Sequence, residues 1–102
     1  MNPSPVVTDA GERRRFEAHV DGTLAGFAEY IRTPELVVYP HTVVEDEYEG
    51  QGIGSALARV ALDDARERGL RVLATCPFIH SWIGRHPEYA DLTYQNRSRV
   101  ND

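Results

Sequence analysis

The run YEGQGIGSAL, Tyr48 to Leu57, sets glycines at positions 50, 52 and 54 directly before a segment with helical hydrophobic spacing. The first turn of a helix exposes unpaired N–H groups and about half a positive charge, so bare backbone there is suited to an anion. Glycines in that pattern also serve ordinary tight turns, and the pattern alone does not separate the two. Two more residues have types that assist group transfer. His41, in LVVYPHTVVE, carries an imidazole, the usual general base, and Cys76, in RVLATCPF, is a thiol at the start of a helix, able to act as nucleophile or proton donor. For each an inert reading stands beside the active one: a hydrogen-bonded strand histidine, and a cysteine packed in the core.

Several phosphate motifs fail residue by residue. The dinucleotide fingerprint needs glycine where Ser55 stands, and its acidic ribose partner is missing from RVLATC. P-loops and kinases need lysine, and all 11 basic residues of this chain are arginine. Cys76 and His80 have a spacing that a metal could use, but no second cysteine or His-Glu-x-x-His run completes a site, and no metal is expected. What remains is a diphosphate held by backbone amides.

The elements that must hold these residues follow from periodicity. Phe16, Ala18 and Val20 alternate with polar residues as in a half-buried strand; Asp21-Gly22 marks a tight turn, and Leu24–Arg32 returns as a second strand. Thr33-Pro34-Glu35 turns into a third strand, Leu36–Glu45, in which Pro40 removes a ladder donor and predicts a bulge or an edge. Alternation puts His41, Val43 and Glu45 on one face of that strand, with Thr42 and Val44 on the other. A helix is predicted from Gly52 to Arg68, capped by Gly69, and a short apolar strand covered on both faces over Arg71–Cys76. A second helix runs from Pro77 to Arg85 with Phe78 and Trp82 turned inward and Ile79 and Ile83 as further inward candidates, stopped by His86-Pro87.

The expected fold is α+β: a mixed sheet, made of an antiparallel three-strand meander plus one parallel strand, with two helices. Residues 1–12 read as a loose tail, in which Val6 and Val7 offer a short edge strand; 13–90 form the domain, and 91–102 a polar tail. With 102 residues, 41% apolar and 26% charged, the composition is that of one ordinary globular domain. A net charge of -5 argues against nucleic acid, with Arg13–Arg15 the only basic cluster. No membrane partner is expected, since no stretch approaches the roughly 18 apolar residues of a span. One cysteine and the absence of an apolar leader point to the cytoplasm.

The run from His41 to Tyr89, HTVVEDEYEGQGIGSALARVALDDARERGLRVLATCPFIHSWIGRHPEY, resembles the acyl-CoA site of the GNAT N-acetyltransferase superfamily, and VDGTLAGFAEY resembles the opening hairpin of its small single-domain branch. Gly52 and Gly54 match the glycines of the superfamily's pyrophosphate loop, while Glu49 stands where Gln or Arg is common. The resemblance implies that the amides of Gln51, Gly52, Ile53, Gly54 and Ser55 hold the pyrophosphate of acetyl-CoA. It implies that the pantetheine arm lies between the third strand, at Val43 and Val44, and the RVLATC strand, at Thr75. His41 would be the base, with Glu45 assisting because Val43 replaces the acidic residue that often follows His-Thr in the branch. Cys76 would be either an acyl-accepting nucleophile served by His41 or a proton donor to the departing thiolate.

The implied function is transfer of an acetyl group to an amine acceptor, on a protein or a small molecule. The alternative is a CoA-binding or interaction module without turnover. The extra helices that shape the acceptor site in longer members have no room before the third strand, which implies an open acceptor side. Exposed strands leave a monomer or a weak homodimer as the expected state.

Overall fold

The computed structural model describes residues 4–94; most of the expected C-terminal tail, 95–102, lies outside them, as do residues 1–3. Five strands form one sheet in the order β1 (Val6–Ala10), β2 (Arg15–Val20), β3 (Thr23–Arg32), β4 (Leu36–Val44), β5 (Arg71–Leu73). The first four are antiparallel, and β5 joins β4 in parallel across a helical crossover, α1 (Ile53–Arg68). A second helix, α2 (Pro77–Arg85), and a 3-10 turn over Pro87–Leu92 complete the order. The expected mixed sheet is present, with one strand more than the meander of three. Val6–Ala10 is part of it, in register from Val6 opposite His19 to Ala10 opposite Arg15.

Local chemistry accounts for the turns. Asp21 and Gly22 both adopt positive φ, 50° and 81°, the conformation a two-residue hairpin requires. Thr33 Oγ1 accepts hydrogen bonds from the Glu35 and Leu36 amides and closes the turn before β4. Gly69, at φ 72°, ends α1: its amide donates to the Arg66 carbonyl and the Leu70 amide reaches back to Ala65.

One face of the sheet carries the core. Phe16, Ala18, Ala28, Tyr30, Val37 and Tyr39 are buried against Ile53, Leu57, Ala58, Ala61, Leu62 and Ala65 of α1. The expected bulge at Pro40 is observed. Glu29 lies opposite His41 and Ile31 opposite Val38, so Tyr39 and Pro40 together face the single residue Tyr30. The predicted Arg71–Cys76 strand is shorter than its apolar run. Only Arg71–Leu73 pairs with β4, and Leu73 is exposed, so one face of this strand is uncovered. The reason is Pro77, which forces the preceding residues out of the ladder to begin α2.

A polar network ties β1 to the rest. The Tyr30 hydroxyl and the Arg32 guanidinium both donate to Asp9, Arg32 also pairs with Asp64 of α1 at 3.1 Å, and Arg68 approaches Asp9 at 3.8 Å. Burial acts to raise the Asp9 carboxyl, but the hydrogen bonds from Tyr30 and Arg32 and the charges of Arg32 and Arg68 outweigh it and hold it below the usual aspartate value. A depressed carboxyl contributes stability above its unfolded value, which is lost as pH falls through the folded one. Asp9→Asn is therefore expected to cost about 1–2 kcal/mol at neutral pH, with the gap from wild type closing below about pH 4. Urea unfolding from pH 7 to pH 2 checks this, and a gap that stays constant with pH refutes it.

Candidate functional site

The glycine run does two different jobs. Gly50 and Gly52 adopt φ of 81° and 83°, and a Cβ built at either meets nothing within 4 Å, so these positions are bare backbone facing open space. Gly52 caps α1 with no side-chain hydrogen bond, and no acidic residue occupies the first turn. The first helical bond runs from the Ala56 amide to the Gly52 carbonyl, which leaves the amides of Ile53, Gly54 and Ser55 without helical partners. Gly54 is bare for another reason: a Cβ there would lie 2.7 Å from the Phe78 ring. Phe78, predicted to turn inward, instead lies across Gly54 with 37% of its surface exposed, and Ile79 and Trp82 take the buried face of α2.

Around this turn is an open cavity of about 390 Å³, lined by Val44, Tyr48, Glu49, Gly50, Gly52, Ile53, Gly54, Ser55 and Phe78. Four of the five expected amide-loop residues have backbone available there. Gln51 does not, because its amide donates to the Tyr48 carbonyl and its side chain to the Glu47 carbonyl. The Ser55 hydroxyl accepts from Trp82 Nε1 at 3.1 Å, which fastens α2 to the first turn of α1 and leaves the Ser55 amide as the group facing outward. Tyr48 and Phe78 were not anticipated as lining residues. Phe78 carried a signal in its place directly after Pro77, on the first turn of a helix whose buried stripe runs through Ile79 and Trp82.

The second feature is a gap between β4 and β5. Pairing stops at Val38 and Leu73, and the last link is the Cys76 amide donating to the Tyr39 carbonyl at 2.9 Å. Beyond it, β4 is bonded on one side only. The Glu45 amide donates to Ala25, and the Val43 carbonyl points at Gly26 so closely that a Cβ there would lie 2.6 Å away. Antiparallel alternation therefore turns the backbone groups of Thr42 and Val44, not those of Val43, toward the gap. Thr75 is exposed where the chain leaves β5, and Cys76 is buried.

His41 and Cys76 do not meet. The Cys76 thiol donates to Thr42 Oγ1 at 3.4 Å, so Thr42 faces the helices, and the neighbouring His41 and Val43 project from the opposite face, with Glu45 following the same alternation. There the His41 ring stands edge-on to Phe27, at 6.4 Å between centroids. The expected pairing of the thiol with His41 as its base is thus corrected, because adjacent strand residues cannot serve one side. Among the described residues no group of three His, Cys, Asp or Glu is placed to hold a metal.

The geometry is that of a fold whose crossover helix points its free amides at a split in the sheet, and comparison identifies the family. The model of the GCN5-related N-acetyl-transferase family matches residues 15–92. Protein NATD1 of Mus musculus is 33% identical over 79 residues, spanning 74% of this chain and 71% of its own. A GCN5-like protein from Staphylococcus aureus, solved by NMR, superposes with a TM-score of 0.65 at 22% identity, over 94% of this chain and 96% of that one. AAC(6')-Iy, solved with the bisubstrate analogue CoA-S-monomethyl-acetylneamine, superposes at 0.52 with 20% identity, over 86% and 65%. The chain belongs to the GCN5-related N-acetyltransferase family.

The two buttressed glycines should respond differently to a methyl group. At Gly26 the obstacles are the Val43 carbonyl at 2.6 Å and Ile53 at 3.1 Å, both fixed in the core, whereas at Gly54 it is the exposed tip of Phe78. Gly26→Ala is expected to cost about 1–3 kcal/mol, and Gly54→Ala clearly less because the ring swings aside. Urea midpoints of the two variants, with Phe78→Ala added to Gly54→Ala as a control, measure the difference.

Proposed function

We propose that the chain is an acetyl-CoA-dependent N-acetyltransferase in which an acceptor amine attacks the thioester directly. The observation that carries this reading is the meeting of an uncapped, side-chain-free helix start with an open strand edge. The free amides of Ile53, Gly54 and Ser55, approached over Gly50 and Gly52, fit a diphosphate, and the backbone groups of Thr42 and Val44 fit an amide-bearing tether laid along β4. AAC(6')-Iy, which shares the fold, was solved with a CoA-derived ligand, and that supports the same ligand class here.

Bound acetyl-CoA supplies the activated acyl group. The chain's own side chains divide by face. His41, on the open face, takes the proton that the attacking ammonium must lose. Cys76, on the helix face, gives its thiol proton to the departing sulfur as the carbon–sulfur bond breaks, a role supported by its position beside Thr42 at the β4 edge. A base on one side of the β4 edge and an acid on the other suits a direct displacement. An acyl-cysteine route would need a base beside Cys76, where Thr42 stands. The second reading, a CoA-binding module without turnover, draws on the same cavity and on Val43, an apolar residue beside the base.

Glu49 lines the cavity and repels a diphosphate. By calorimetry, CoA is expected to bind; Gly52→Val, which forces a side chain into positive φ and into the approach, weakens binding about tenfold or more, and Glu49→Gln tightens it severalfold. Failure of CoA to bind refutes the reading. Release of CoA from acetyl-CoA in the presence of amine acceptors separates the enzyme from the module, with His41→Ala expected to lower kcat/KM about a hundredfold. A hydroxylamine-labile acetyl adduct, lost in Cys76→Ala, would replace direct attack by the covalent route.

A further inference from the structure

We propose that Glu29 is the carboxylate that receives the acceptor's ammonium group beside His41, on the sheet face opposite the helices. This rests on the acyl-CoA reading and adds to it the residue that binds the acceptor and the acceptor's direction of approach. On the helix side Cys76, Ile79 and Trp82 are buried, and the open cavity at Val44, Ile53 and Phe78 is the one assigned above to the diphosphate. On the other side His41 is exposed and Phe27, Glu29 and Val43 are only half-buried. An amine that reaches the edge of β4 therefore comes over these residues.

The register sets Glu29 directly opposite His41, and Phe27 opposite Val43. Glu29 forms no ion pair among the described residues, although Arg15 is its cross-strand neighbour on β2. Arg15 is committed elsewhere: its Nε bonds Glu17 at 2.7 Å and its guanidinium lies 4.1 Å over the Phe27 ring. Glu17, only 6% exposed, also takes Arg13 at 3.3 Å, so both guanidiniums direct their hydrogen bonds to Glu17 and neither bonds Glu29. Glu29 is left as a half-buried carboxylate with no direct ion-pair partner among the described residues, one strand away from the base. Glu45, on the same face beyond Val43, has the same sign. An alkylammonium gains from this field, and an anionic or phosphorylated acceptor is repelled by it.

The arrangement also orders the chemistry. Amines are protonated at neutral pH, so the form that arrives is the cation that Glu29 attracts, and His41 lies next to it to take the proton. Attack by the freed nitrogen then proceeds toward the helix side.

The test uses the full chain, 15N-labelled and saturated with CoA, titrated with n-butylamine and, in parallel, with n-butanol. Amide shifts of Gly50–Ser55 on adding CoA report the underlying site separately, so failure there refutes the acyl-CoA reading and not this one alone. With the amine, saturable shifts are expected at Phe27–Glu29 and His41–Val43, and none with the alcohol. Glu29→Gln, close in shape to wild type, should weaken amine binding about three- to fivefold, while Asp46→Asn leaves it unchanged. Shifts centred on Asp46–Glu49, equal response to butanol, or an unaltered Glu29→Gln titration overturn the proposal. So does the absence of any saturable shift with the amine.

Discussion

The hydrogen bond from the Cys76 amide to the Tyr39 carbonyl is the hinge on which the cleft depends. Up to that bond β4 is an interior strand, paired on both sides, and beyond it the strand has one partner and an open edge. Three local facts force the change at this point. Pro40 has no amide to give a neighbour, the bulge it causes turns the strand, and Pro77 pulls the end of β5 into a helix. Tyr39 fixes the position of the break in space. It is buried, and its hydroxyl donates to the Ala61 carbonyl of α1 at 2.6 Å, so the bulge cannot move without breaking a bond in the core. Burial raises the Tyr39 phenol well above its ordinary range, which keeps it a donor at any physiological pH.

The helix start must face that break, and small residues set its distance. Gly26 lets Ile53 press onto β3 where any side chain would collide with the Val43 carbonyl, and this brings the free amides of α1 to the level of Val44. From the other side α2 is bound to the same turn by Phe78 on Gly54 and by Trp82 on Ser55. Trp82 is in turn held by a stacked His86 at 3.6 Å, whose Nδ1 donates to the Trp82 carbonyl, and by Tyr89, whose hydroxyl donates to Asp63 of α1. The first turn of α1 is thus held by aromatic packing and hydrogen bonds, and no Arg or His lines the cavity beside its amides.

Much of this was legible because it depends on neighbours in sequence. The bounds of α1 follow from its spacing and from Gly69, the hairpin from Asp21-Gly22, and the bulge from Pro40. The misread parts depend on partners far along the chain. β1 was legible only as a short edge strand at Val6 and Val7 within a tail, because VVTDA alternates weakly; what extends and holds it is Asp9 bonded to Tyr30 and Arg32, which lie 21 and 23 residues away. The sides of β4 were legible from alternation, but nothing in the sequence said that Cys76 would come to Thr42 and so lie across the strand from His41. Phe78 was assigned inward by its type, when the space it fills exists only because Gly54 comes from another helix.

The electrostatics of the cleft support a division of labour between backbone and side chains. The loop before α1 carries Glu45, Asp46, Glu47 and Glu49, and Glu49 lines the cavity itself. A site that bound an anion through side chains would place cations there, and this one places carboxylates. On the acyl-CoA reading proposed above, anion affinity comes from amides aligned at a helix start, which act over a few ångströms, whereas the carboxylates act over the Debye length of about 8–10 Å. At short range the dipole dominates, and only for a group that reaches the bare turn; at longer range the negative surface dominates and favours cations. One surface can therefore hold a diphosphate on one side of the β4 edge and draw a positively charged partner to the other, and the two ligands would relieve each other's charge when both are present.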